Sequence, residues 1–72
     1  MGEVLMTWLI QSAEGEAIPT YYSIKAGRDL GATHGWTERV REATAFQSLS
    51  EAEVFVNRRL SHVRVNVVEK QL

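Results

Sequence analysis

Seventy-two residues, 44% of them hydrophobic and 24% charged, allow one small folded domain with a thin core and leave no length for a second. The absence of cysteine excludes disulfides, thiolate metal sites and a cysteine nucleophile together. Eight basic residues against nine acidic ones give a net charge of −1, so no global field draws the chain to nucleic acid. The sequence has no apolar run near the roughly 18 to 20 residues needed to span a bilayer and no signal-peptide pattern at its start, which predicts a cytoplasmic protein without membrane association.

In chain order, Val4 to Ile10 is too short for a typical helix and rich in strand formers, so it reads as a first strand. Val4, Met6, Trp8 and Ile10 share one face, and Leu5, Thr7 and Leu9 share the other. Both faces are largely apolar. Ser12 to Pro19 forms the turn, with Gly15 supplying backbone freedom and Glu14 and Glu16 hydrated. Thr20 to Lys25 follows as an antiparallel second strand with Tyr22 and Ile24 inward and Tyr21, Ser23 and Lys25 outward. The glycines at 27, 31 and 35 punctuate an irregular loop with a brief third strand around Leu30 to His34, after which Trp36 rejoins the sheet.

Between Trp36 and Ala52 the local chemistry is dense. Thr37 is placed to cap a short helical turn from Glu38 to Arg41. Ser48 with Glu51, and Ser50 with Glu53, repeat the capping-box spacing and start a helix near residue 49 that runs to about Leu60 or Ser61. Leu49, Ala52, Val56 and Leu60 form its core stripe, with Phe55 at the edge and Val54 exposed. His62 to Glu69 alternates as a last strand with Val63, Val65 and Val67 inward, and Lys70 to Leu72 is expected to fray. The predicted fold is α+β, a sheet of three or four antiparallel strands with one helix on one face, in the order β-β-(β)-α-β. Its core is expected to gather Trp8, Tyr22, Ile24, Phe46, Ala52, Val56, Leu60 and Val65.

The pattern Trp36-Thr37, five residues, Ala43, two residues, Phe46, one residue, Ser48, two residues, Glu51-Ala52 resembles one that recurs in short phage and prophage proteins. The resemblance implies two or three strands before this segment, one strand after it, and a host cytoplasm as the setting. It supplies no catalytic residues. Many phage proteins of this size, anti-CRISPR proteins among them, bind a host or defence-system protein, and by analogy that is the partner class implied here.

No constellation of catalytic or metal-binding residues stands out. His34 and His62, the two histidines, lack the local spacing that metal helices use, and no serine sits in a nucleophile elbow. The glycine run lacks the lysine of a phosphate-binding loop, so turn geometry accounts for it. Arginine outnumbers lysine six to two, and Arg39, Arg41, Arg58, Arg59 and Arg64 lie in the second half. Glu38, Glu42, Glu51 and Glu53 interleave with them, which favours internal pairing and a protein partner over phosphate. The expectation is a non-enzymatic protein-binding module without cofactor or metal. A nucleic-acid-binding accessory protein with an arginine and aromatic surface is the alternative. The candidate interface residues are Leu5, Leu9, Tyr21, Trp36, Arg39, Arg41, Val54 and Arg58. Because one helix cannot cover both faces of the first strand, Leu5, Leu9 and Tyr21 are further expected to form an exposed patch through which the chain makes a homodimer.

Overall fold

The computed structural model describes residues 6–15, 17–32 and 34–71. In chain order it holds β1 (Met6–Ser12), β2 (Tyr21–Tyr22), α1 (Ile24–Asp29), β3 (Trp36–Thr37), a 3-10 turn (Val40–Glu42), α2 (Leu49–Arg59) and β4 (Val65–Gln71). All strand pairs are antiparallel and the order across the sheet is β3-β2-β1-β4. The fold is α+β, as the alternating and capped segments predict. No helix among the described residues is long and apolar enough to cross a membrane.

Register explains where the core lies. Ile10 sits opposite Val67, Ser12 opposite Val65 and Tyr22 opposite Trp36, so these side chains share the face on which α2 packs. Ile10, Tyr22 and Leu60 are buried at its centre, with Trp36, Phe46, Phe55, Val56, Val63, Val65 and Val67 packed around them. Tyr22 is the hub of the aromatic contacts, with ring centroids 5.3 Å from Phe55, 5.5 Å from His34 and 5.6 Å from Trp36 in an edge-on arrangement. Such pairs contribute about 0.5–1.5 kcal/mol each beyond area burial.

β1 runs past its predicted end to Ser12, and its predicted first residues, Val4 and Leu5, lie outside the described residues. The second strand is much shorter than predicted because Ser23 redirects the chain. Its hydroxyl accepts from the Ala26 N–H at 3.0 Å, capping α1, and donates to the Glu42 carbonyl at 2.7 Å. Ile24 is thereby carried into the helix and is 39% exposed, so it is not a core residue. The predicted strand at Leu30 to His34 is absent among the described residues there. α1 ends at Asp29 with Leu30 as its C-cap, and Gly31 turns the chain at a φ of +71°. Gly27 and Gly35 serve a different purpose from turn geometry. A Cβ on Gly27 would lie 2.8 Å from the Gly35 nitrogen, and one on Gly35 would collide with the Gly27 backbone, so α1 rests directly on the approach to β3.

The place vacated by β2 along β1 is taken by residues 44–46. Thr44 N–H donates to the Tyr22 carbonyl at 2.9 Å, and Trp8 and Phe46 exchange N–H···O bonds of 3.0 and 2.9 Å. Thr37 does not cap the helical turn as predicted: the 3-10 turn begins at Val40 behind Arg39 with no side-chain cap, and the Thr37 hydroxyl instead accepts from Arg39 N–H at 3.1 Å in a local turn. Ser48 does cap α2, accepting from Glu51 N–H at 3.1 Å. Within α2, Ala52 is fully buried and Val56 packs on the core, while Leu49 at the first turn is 41% exposed and leaves the predicted stripe. The expected fraying of the last residues is not observed for Lys70 and Gln71, which pair with Thr7 and Met6; Leu72 lies outside the described residues. Glu14, expected to be merely hydrated, accepts from the Arg64 N–H at 3.2 Å and ties the first turn to the start of β4.

Candidate functional site

The eight candidate interface residues do not form one surface. Leu5 lies outside the described residues. Leu9 is 0% exposed and Tyr21 5%, which removes the apolar patch expected on the face away from α2. The reason is internal cover. Lys70 on β4 and Tyr21 on β2 stand on the two strands flanking β1, and the Lys70 ammonium lies 5.8 Å from the Tyr21 ring centroid, so the two side chains meet over the β1 face that carries Leu9. Val40 and Arg41 of the 3-10 turn join Lys70 and Gln71 around a groove of about 330 Å³ at the end of that face.

Trp36 is half-buried and faces a different depression, of about 270 Å³, with Ser12, Glu14, Thr20 and Val63. Arg39 is spent locally on Glu42, at 3.6 Å. Val54 and Arg58 do come together. They line a groove of about 350 Å³ with Phe46, Glu51, Phe55 and Arg59. Glu51, Val54, Phe55 and Arg58 stand at i, i+3, i+4 and i+7, so α2 carries a second stripe on the side away from Ala52.

Each part of this groove has a local cause. Phe46 is set by its backbone exchange with Trp8, and its ring lies 5.3 Å from that of Phe55, so the floor is aromatic. Val54 stands 50% exposed above it. Arg58 and Arg59 occupy the last turn of α2, where the helix carbonyl ends favour positive charge. The Arg59 charge also reaches Tyr22: burial raises the Tyr22 phenol above its ordinary value of 10.0, and the Arg59 guanidinium opposes that shift. Tyr22 is therefore neutral at physiological pH and shares a 2.9 Å hydrogen bond with His34 Nδ1.

The interleaving of arginine and glutamate predicted more internal pairing than is observed. Arg39–Glu42 and Lys25–Asp29 are ion pairs, whereas Arg41, Arg58, Arg59 and Arg64 join none among the described residues. Phe46, Glu51, Phe55 and Arg59 were not singled out as interface residues from the sequence. The i, i+3, i+4, i+7 spacing of the outer stripe was the available signal, hidden because Phe55 also borders the core stripe. No group of three metal-capable side chains lies together among the described residues. Comparisons with protein family models, with curated proteins and with solved structures return no match to this chain.

Proposed function

We propose that the chain is a non-enzymatic protein-binding module whose contact surface is the α2 groove. The observation that carries this reading is the outer stripe of α2, where an exposed valine over an aromatic floor is flanked by two arginines without ion-pair partners among the described residues. Aromatic and arginine side chains around an apolar centre are the composition that protein interfaces favour. Such a groove suits an apolar anchor residue with an acidic neighbour on the partner. The phage-type pattern of Trp36 to Ala52 points to a host or defence-system protein as the partner, and inhibition as the outcome.

The test is capture from host lysate with the wild-type chain beside Val54→Glu and Arg58→Glu. Both positions are exposed, so both variants are expected to fold. A host protein retained by the wild type and lost with both variants is the expected result. A partner retained equally by all three would move the site elsewhere on the molecule.

A further inference from the structure

β4 is the outermost strand on one side of the sheet, and it pairs with β1 without a break from Val65 opposite Ser12 to Gln71 opposite Met6. In an antiparallel ladder, alternate residues turn both backbone groups toward one neighbour. Three observations settle which residues do so here. Trp8 exchanges both groups with Phe46, Ser12 N–H donates to Thr20, and Ala13 N–H donates to the Arg64 carbonyl. Even-numbered residues of β1 thus face away from β4, and Asn66, Val68 and Lys70 are the β4 residues that bond inward. Val65, Val67, Glu69 and Gln71 turn N–H and C=O outward, and no described residue meets them.

Sheet edges are normally protected by proline, bulges, extreme shortness or dense charge. β4 has neither proline nor bulge, spans seven residues and carries one acidic and one basic side chain. The opposite edge, β3, is protected by being two residues long. Val65, Val67 and Val68 are also only half-buried, so the strand remains incompletely covered on both faces.

We infer that this edge pairs with the β4 edge of a second copy, joining the two sheets about a two-fold axis perpendicular to them. Charge selects the register. Centred on Val68, the ladder overlaps all seven residues, sets Val67 against Glu69, Val65 against Gln71 and Asn66 against Lys70 of the second copy, and makes about eight inter-chain hydrogen bonds. Moving the centre to Glu69 opposes two glutamates, and moving it to Val67 opposes Arg64 and Lys70. Only the Val68-centred register of these three avoids like charges. The contact leaves the α2 groove untouched and stands independently of the protein-binding reading.

Light scattering on the purified chain is expected to give twice the 8.1 kDa chain mass. Glu69→Pro removes one outward N–H from an exposed position and leaves the β1 ladder intact, so it is expected to raise the dimer dissociation constant about tenfold or more. Val68→Glu and Val68→Lys each place like charges on the axis. Each is expected to be monomeric alone, and an equimolar mixture dimeric, a rescue that a folding defect would not produce. A monomeric wild type at millimolar concentration overturns the inference, as does a dimer that none of the three substitutions weakens.

Discussion

Ser23 joins two elements through one oxygen. Its hydroxyl caps α1 and anchors the 3-10 turn through the Glu42 carbonyl, and the residue is fully buried. Ser23→Ala removes the cap, at about 1 kcal/mol, and strands a part-buried carbonyl at about 1–3 kcal/mol more. The expected loss of about 2–4 kcal/mol is measurable by urea unfolding, and a loss below about 1 kcal/mol would show that neither bond matters. Tyr22 gives a pH dependence of known sign. Its phenol is raised in the folded state, so the neutral form is favoured there; this stability is complete below pH 10, the ordinary value, and is lost as pH rises through the raised folded value. Alkaline melting curves should therefore fall faster for the wild type than for Tyr22→Phe. At this scale the sequence was readable only in part: Tyr22 was predicted inward, but Ser23 looked like an outward strand residue because its partner, Glu42, lies 19 residues away.

Among the elements, α2 was the most legible, since its start depends on local chemistry between Ser48 and Glu51 and its face on period alone. Its face assignment yields a paired prediction. Ala52→Asp buries a charge against the sheet and is expected to cost several kcal/mol, enough to unfold a domain of marginal stability. Val54→Asp, two residues further on, is expected to stay within about 0.5 kcal/mol of wild type. Equal melting temperatures for the two would mean that the face is misplaced. Leu49 was misread because a helix's first turn can overhang the sheet it packs on. The short helix α1 was missed because Tyr21, Tyr22 and Ile24 carry strand-forming side chains, and a six-residue helix offers less than two turns of period to oppose them.

At the scale of the molecule, the sheet order and the closure of its second face depend on contacts between distant residues. The meeting of Lys70 with Tyr21 over β1 had no local trace, so two apolar faces on the first strand were read as one exposed patch. The outer groove was half legible, Val54 and Arg58 having been chosen and their aromatic floor not. The arginines that join no ion pair among the described residues also bear on the alternative partner class. If Arg41, Arg58, Arg59 and Arg64 bound phosphates, affinity for single- or double-stranded DNA or RNA would fall linearly in log-log form with salt, by about 0.7 to 0.9 per contact. The expected result is no binding at low salt. Micromolar binding that collapses as salt rises would replace the protein-binding reading with a nucleic-acid one.

The pairing of β1 with β4 also governs when this chain can acquire its shape. Thr7 must find Lys70, and Leu9 must find Val68, across nearly the whole chain, whereas β2 and β3 are close neighbours in sequence. The loop to be closed before the central strand gains its longer ladder is therefore the largest the fold contains, and contacts of such separation slow folding. On a ribosome, β1 emerges before β4 and remains without that partner until β4 has cleared the exit tunnel. During that interval Leu9 and Ile10, both fully buried in the finished protein, have no completed sheet to enter. The nascent chain is thus exposed to chaperones and to misassociation until β4 has cleared the tunnel, and a release of that hazard should coincide with the arrival of a single strand.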